Sequence, residues 1–243
     1  MGNYCLIIIR KIKKINKLNL IDMNFEKFDR YLHCETRSIV VNGSFTPSLF
    51  QPAWFASKGL VGKEEAESAV IHVIIPDFCQ ITIGGFEILC NRNKFQILTR
   101  KSPYFEAMYD LVKQIFMLCP ETPVKNVGLN TTFTFDLQSS ELYYNIGSEL
   151  ASLHRWNDMM PNARLQNISL EGDKDDNNCK TFLQINPTGV ERVSFGVDFA
   201  INNHFVLDKK NGDAVVALIN EHSDEYMRKS KELACCTIDE FVR

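Results

Sequence analysis

The clearest feature of the sequence is an alternation of hydrophobic and polar residues between positions 69 and 99. A β-branched run at residues 69–75 stops at Pro76-Asp77, and residues 78–83 then alternate up to Gly84-Gly85, where two glycines favour a hairpin reversal. Apolar residues at every second position continue over residues 86–90 and 95–99. The pattern predicts an antiparallel meander of strands.

A helix is predicted directly after the meander. Ser102-Pro103 favours a helix start, because a serine hydroxyl can accept a bond from a free amide and proline suits the first helical turn. Apolar residues then recur at spacings of three and four until Pro120, and they are Phe105, Met108, Val112, Ile115, Phe116 and Cys119. A stripe this wide must pack on another layer, and the meander is the nearest one.

The rest of the chain repeats these two kinds of pattern. Further strands are predicted at residues 38–45, 124–137, 165–170, 181–186 and 192–199. Further helices are predicted at residues 25–32, 48–67, 140–153 and 213–236. Gly59 and Gly62 are expected to divide the second of these helices, and Ser139 or Ser140 is expected to cap the third.

The order of the elements, which is strand, helix, several strands and helix, occurs twice. A short set of residues also recurs without a gap, since Asn42, Phe45, Thr46, Leu49 and Gly59 match Asn130, Phe133, Thr134, Leu137 and Gly147 in spacing. We therefore predict an α+β fold in which a duplicated β-α-βββ-α unit forms one curved antiparallel sheet with helices packed on one face. The predicted divisions are a basic N-terminal arm and lead-in at residues 1–37, a first half at 38–123, and a second half of the same domain at 124–243.

This element order resembles the duplicated topology of the TATA-binding-protein-like fold over residues 38–236. The resemblance implies a fold and no function, because no residue of this chain can be matched to the phenylalanines with which the family's namesake kinks DNA, and because the second half is acidic. The segment Phe50-Gln-Pro-Ala-Trp-Phe55 also resembles small, uncharacterised cytosolic bacterial proteins of accessory gene clusters.

Composition indicates a globular protein without an overall attraction to phosphate. Hydrophobic residues make up 45% of the chain and the formal net charge is -3. The first twenty residues hold Lys and Arg but no acid, which indicates either a basic arm or a leader before an alternative start at Met23. No apolar run is long enough to span a membrane.

The cysteines favour a reducing compartment. There are eight, without a C-x-x-C pair and with several inside apolar strand or helix positions. We interpret them as reduced and buried, and we predict a cytoplasmic protein.

Motifs for catalysis, metals or cofactors are not found in the sequence. It contains no phosphate-binding glycine loop, nucleophile elbow or zinc signature, and the five histidines are scattered. Residues 173–178 concentrate carboxylates and amides but lack the glycine and glutamate of a calcium loop, so we interpret them as a solvated hairpin tip. We therefore predict no catalytic residue, no metal and no cofactor.

Three functions remain open on these grounds. The first is a non-enzymatic protein-binding component of a bacterial multi-protein system, such as an accessory or anti-phage defence cluster. The second is a nucleic-acid-binding module, whose candidate contacts are Arg92, Lys94, Arg100 and Lys101. The third is an enzyme or small-ligand-binding protein with a cleft between the two halves.

Overall fold

The computed structural model describes residues 26–156 and 158–241 of the chain. The helices are α1 Glu26–Tyr31, α2 Pro52–Ser57, α3 Lys63–Glu67, α4 Phe105–Leu118, α5 Ser140–Ala151 and α6 Gly212–Phe241. The strands are β1 Leu32–Gly43, β2 Val70–Ile75, β3 Phe78–Ile83, β4 Phe86–Asn91, β5 Lys94–Thr99, β6 Val124–Asp136, β7 Ile168–Glu171, β8 Cys179–Pro187 and β9 Gly196–Val206. Short 3-10 helices lie at Pro47–Leu49, Ser102–Tyr104 and Leu153–Arg155.

All nine strands belong to one antiparallel sheet, in the order β2-β3-β4-β5-β1-β6-β9-β8-β7. The sheet is curved and the helices lie on one side of it, which confirms the predicted α+β class and layer arrangement. The strand order is symmetric about the central β1–β6 pair, with four strands outside it on one side and three on the other. Duplication of an ancestral unit stays a prediction.

The two faces of the sheet differ in what covers them. On the face that carries the helices, here called the helix face, alternate residues such as Ile39, Ile88 and Phe199 are fully buried. Their neighbours along each strand point to the opposite face, here called the open face. Strand pairing sets these open-face residues side by side in rows, for example Ser38, Asn130 and Asn202.

The buried apolar residues form two clusters. The first lies between β1–β5, the beginning of β6 and helix α4, and the second lies under α1 and α5 against β8 and β9. Helix α6 contributes to both, because Val215, Leu218 and Tyr226 belong to the first cluster and Ala234 and Ile238 to the second. A helix of 30 residues, about 45 Å long, is long enough to span them.

Several predicted elements are confirmed in position. Helix α4 begins within two residues of the predicted start, after a 3-10 turn at Ser102–Tyr104, and most of its predicted stripe is buried. The amide of Leu142 donates to the Ser139 hydroxyl, which is the predicted cap of α5. The helical region at 48–67 is divided as predicted, since Gly59 has a φ of +67° between α2 and α3.

The strand predicted at residues 192–199 is wrong in position. Residues 188–195 form a loop, in which Arg192 adopts a φ of +69° and the amide of Val193 bonds to the carbonyl of Val190. The alternating pattern of 192–199 is therefore divided, and β9 instead runs from Gly196 to Val206. Strand β1 also begins earlier than predicted, at Leu32.

The basic N-terminal arm lies outside the described residues, which begin at Glu26. Within the part of the chain that is described, no helix combines the length and the apolar character needed to cross a bilayer.

Candidate functional site

The four predicted nucleic-acid contacts do not form one cluster. Arg92 lies in the turn between β4 and β5, and Lys94 is the first residue of β5. Arg100 and Lys101 follow the same strand at its other end. A six-residue strand separates the two pairs by roughly 20 Å.

Carboxylates accompany both arginines. Arg92 Nη2 lies 2.6 Å from Asp77 Oδ1, and Arg100 Nη1 contacts Glu87 Oε1. These surface pairs reduce the positive charge that a phosphate would meet. The structure thus provides two small, partly neutralised groups at the two ends of β5.

The two lysines also contact neighbouring groups. Lys94 Nζ donates to Gln96 Oε1 over 3.2 Å on the open face. Lys101 Nζ lies 5.8 Å from the ring centroid of Tyr104. Nucleic-acid binding through these residues stays a prediction.

The middle of the open face is rich in uncharged amides. Asn42 Nδ2 donates to Asn126 Oδ1 over 2.6 Å, and Asn130 Nδ2 lies 3.4 Å from the Ser38 carbonyl oxygen. Asn202 Oδ1 is buried and has no hydrogen-bond partner among the described residues. An orphaned amide oxygen costs folding energy unless a ligand or water satisfies it.

Strand β2 is the most exposed apolar element of the sheet. Val70, Ile71, Val73 and Ile75 are 54%, 57%, 38% and 52% exposed. Because β2 is the first strand in the sheet order, one of its two backbone edges has no neighbouring strand among the described residues. A strand added at such an edge can bury the exposed apolar side chains and form hydrogen bonds with the unpaired backbone groups.

The opposite edge strand differs from β2 in length and charge. Strand β7 has four residues and ends in Glu171, whose carboxylate pairs with Lys180. Short edge strands and edge charges are the usual protection against further pairing. Strand β2 has six residues and contains no Asp, Glu, Lys or Arg.

The loop at residues 173–178 is only partly the solvated tip that its composition predicts. Asp175 Oδ2 accepts a 2.5 Å hydrogen bond from the buried Tyr226 hydroxyl, and Asp175 Oδ1 accepts from the amides of Asn177 and Cys179. Burial alone would raise the pKa of the Asp175 carboxyl. The Tyr226 hydroxyl, the two amides and Lys229 nevertheless hold that pKa below its usual value. The loop is therefore attached to α6.

Four buried cysteines have thiols that react poorly as nucleophiles. Burial raises the pKa of Cys79 to about 11 and that of Cys90, directly opposite it on β4, to about 12. Burial likewise raises the pKa of Cys179 and Cys235 to about 12. A thiol with a raised pKa forms little of the nucleophilic thiolate at neutral pH.

His72 does not form a dyad with Cys79. His72 Nε2 lies 3.1 Å from Thr82 Oγ1, on the open side of β2 and β3. Cys79 lies on the helix face, where its thiol donates to the carbonyl of Phe50. The sheet separates the imidazole from the sulfur atom.

Two clefts lie within the halves of the sheet. A cleft of about 300 Å³ beside the end of α4 has Phe45, Phe50 and Phe116 in its apolar wall and Thr122 and Glu121 among its polar residues. A much smaller one lies beside α5. Among the described residues, no three His, Cys, Asp or Glu side chains are close enough to hold a metal ion.

No protein-family model matches this chain, and no curated protein matches it either.

The sequence predicted β2 as a strand but not as an exposed edge. A continuous β-branched run is typical of strands that are buried on both faces, so its composition indicates burial. The signal that could have found the edge is the strand's place at the outer end of a meander, beyond β3 and β4. Composition does not encode that position.

Proposed function

We propose that the chain is a non-enzymatic binding protein that recognises a partner protein through edge strand β2. The observation that carries this proposal is the exposure of Val70, Ile71, Val73 and Ile75 beside an unpaired backbone edge. Soluble domains usually protect such an edge with charge, proline or a covering element. Leaving it apolar is consistent with an interface that a partner covers.

The chemistry of the remaining surface supports a binding role over a catalytic one. The cysteines with raised pKa values are poor nucleophiles, and the described residues do not bring histidines and carboxylates together in either cleft. We further propose that the partner belongs to a cytoplasmic bacterial multi-protein system, such as an accessory or anti-phage defence cluster. The support for this part is the resemblance carried by residues 50–55.

Site-specific photo-crosslinking tests the proposed interface. A photoreactive phenylalanine analogue replaces Val73 in the full chain, and the same analogue at Leu170 on β7 provides the matched control. We expect one protein adduct from position 73 and none from position 170, because β2 has four exposed apolar residues at its edge, whereas the shorter β7 ends in the charged pair of Glu171 with Lys180. Adding Ile71→Lys should remove the adduct while leaving the far-ultraviolet circular dichroism spectrum unchanged.

Two results would contradict the proposed function. The first is equal labelling at both edges, which indicates random contact. The second is an adduct at position 73 that nuclease digestion destroys, which indicates a nucleic acid in place of a protein.

Nucleic-acid binding is the second candidate, and the uncharged amides of the open face favour it. The side-chain amides of Asn42, Asn126 and Asn130 can donate to and accept from base edges. Salt-dependent binding to DNA or RNA would support this candidate, and weaker binding by the combined Lys94→Glu and Arg100→Glu variant would assign the contacts. Absence of binding at low salt would reject it.

A further inference from the structure

The segment that binds β2 can be described chemically from what surrounds the strand, and this description rests on the proposed function. Strand pairing places Val70 and Val73 on the open face, opposite Thr82 and Gln80, and Ile71 on the helix face, opposite the buried Ile81. A strand added beside β2 would therefore meet exposed apolar groups on both of its faces. A segment with alternating polar residues would leave one of these faces unsatisfied, so a continuous apolar run fits better.

Acidic helix α3 lies at the beginning of β2. Glu65 accepts a hydrogen bond from the amide of Gly62, and its other carboxylate oxygen lies beside Gly84 in the β3–β4 turn. That turn is at the Val70 end of β2, because Val70 pairs with Thr82. Helix α3, with one lysine and three glutamates in its five residues, therefore gives this end of the edge a negative charge.

The other end of β2 has no such charge. Asp77 follows the strand, but its carboxylate lies 2.6 Å from the Arg92 guanidinium. The formal charge beside β2 thus changes from about −2 at α3, where Lys63 Nζ lies 3.7 Å from Glu67 Oε1, to about zero at the Asp77–Arg92 pair. A segment with charge at only one end will therefore prefer one orientation along β2 over the other.

The direction of an added strand follows from the sheet. Every pair in it is antiparallel, and antiparallel pairing is slightly more stable per residue than parallel pairing. An antiparallel strand beside β2 ends where β2 begins, next to α3. Lysine or arginine is therefore favoured on the C-terminal side of the segment's apolar run, which lies next to α3, and not on its N-terminal side.

A second copy of the chain fits the edge less well than an extended segment. Pairing of two β2 strands would join two edges of six residues, each about 20 Å long. An extended segment has the same length of edge available, so the two occupants differ in freedom of movement and not in area. An extended segment, which is not fixed in a sheet of its own, can also follow the surface past Val70 to α3.

We propose that β2 accepts, as an antiparallel tenth strand, an extended partner segment of about five consecutive apolar, mainly β-branched residues followed directly by lysine or arginine. Main-chain hydrogen bonds to the free edge provide affinity. The exposed Val70, Ile71 and Val73 select apolar side chains, and the glutamates of α3 select the basic end.

Two synthetic peptides of the same composition test this proposal on the full chain. One has the order Thr-Val-Ile-Val-Ile-Lys-Lys and the other the reverse order, and both are labelled for fluorescence anisotropy. We expect the first to bind about fivefold more tightly, since exposed charge contacts are individually weak. Charge reversal by Glu64→Lys with Glu67→Lys should invert or abolish the preference, and amide hydrogen exchange should show new protection in β2.

Matched variants assign the binding to the edge. Val73→Lys should weaken binding of the first peptide at least tenfold, whereas Leu170→Lys on β7 should leave it unchanged. Equal affinity for the two orders, or protection that appears outside β2, would overturn the proposed segment. A dimer that Val73→Lys dissociates in sedimentation would overturn it in favour of a second copy. Residues 5–11 of this chain, Cys-Leu-Ile-Ile-Ile-Arg-Lys, have the same chemistry, so peptide binding that appears only after their deletion would overturn it in favour of the chain's own segment.

Failure of this inference is distinct from failure of the proposed function. A protein adduct at position 73, together with no preference between the peptides, would overturn only the description of the segment. Absence of a protein adduct at position 73 would contradict the proposed function and, with it, the proposed segment.

Discussion

At the scale of single residues, the contact between Tyr226 and Asp175 is the clearest case of a polar pair fixing a loop. The Tyr226 ring is buried against Phe205, with 4.8 Å between the ring centroids, and its hydroxyl donates outward to the carboxylate. The hydroxyl of a buried tyrosine needs such a partner. The β7–β8 loop is therefore attached to α6 through the Asp175 carboxyl group and through the Asn177 amide, which donates to the same hydroxyl over 3.2 Å.

The lowered pKa of Asp175 makes its contribution dependent on pH. A carboxyl whose pKa is lower in the folded state stabilises the fold above its ordinary pKa of 3.8, and the contribution is lost as the pH falls through the lower folded value. We expect Asp175→Asn to cost about 1 kcal/mol at pH 7, a modest value because the carboxyl is 36% exposed. Urea titrations from pH 7 to pH 3 should show this difference shrinking below pH 3.8. A difference that grows on acidification would contradict the assignment.

At the scale of elements, β9 shows how adjacent residues serve the two faces of the sheet. On the helix face, Asn203 accepts from the Thr181 hydroxyl and donates to Ser230, with both distances at 2.9 Å. Ser230 in turn donates to the carbonyl of Tyr226. This buried network connects β8, β9 and α6 and fixes how the helix lies on the sheet.

Alanine substitutions in β9 should separate the two faces. We expect Asn203→Ala to cost about 2 kcal/mol, because the half-buried Thr181 hydroxyl loses its acceptor and the buried Ser230 hydroxyl loses its donor. Asn202→Ala, one residue away on the open face, should cost at most about 0.5 kcal/mol, because its buried amide oxygen has no partner to lose among the described residues. Denaturant unfolding of both variants measures this, and equal costs would contradict the assignment of the faces.

The elements that the sequence predicts well are those whose position is determined by residues close to them in the chain. Helix α4 has an apolar stripe and prolines after it, and α5 has the Ser139 cap, so both could be located from neighbouring residues alone. Strand β9 was misplaced because a residue in the left-handed region, Arg192, interrupts an alternating pattern that continues through it. Backbone conformation of that kind is decided by tertiary contacts.

The candidate site was harder to predict than the fold. The residues of β2 were identified as a strand, but their exposure depends on which strand ends the sheet. The basic residues near β5 are close in sequence, but Arg92 and Arg100 lie at opposite ends of the strand and each pairs with an acid from a neighbouring segment. Contacts between residues that are distant in sequence determine both the exposure of β2 and the pairing of the two arginines with acids.

At the scale of the whole molecule, two apolar clusters share one sheet and one helix. The β1–β6 pair joins the halves over eleven paired positions, from Leu32 opposite Phe135 to Gly43 opposite Val124. Helix α6 packs on both clusters. Neither half has a complete set of buried contacts by itself.

Unfolding should therefore be a single transition. Ile88 lies in the first cluster and Ile201 in the second, and truncation of either to valine should cost about 1 kcal/mol. We expect both variants to shift the fluorescence transition of Trp54, which packs on the first cluster, by similar amounts in a Trp156→Phe background. An Ile201→Val variant that shifts circular dichroism but not Trp54 fluorescence would show that the halves unfold separately.

The internal repeat stays a prediction at this scale. Asn42 and Asn130, the first matched pair, both lie on the open face of the two central strands, but one bonds to a side chain and the other lies near main-chain carbonyls. The strand order is symmetric about these strands, whereas α4 has 14 residues and α6 has 30. The strands of the two halves thus follow similar orders outward from the central pair, but the long helices of the two halves differ in length.

Because α6 packs on both apolar clusters, its late position in the sequence has a consequence for synthesis on the ribosome. Strands β1–β5 and α4 emerge early, yet Val215, Leu218 and Tyr226, which complete the apolar cluster around them, are translated roughly a hundred residues later. Until then the nascent chain exposes the surface of α4 and β6 that α6 will cover. We expect the early segment to reach its full stability only after α6 has been translated.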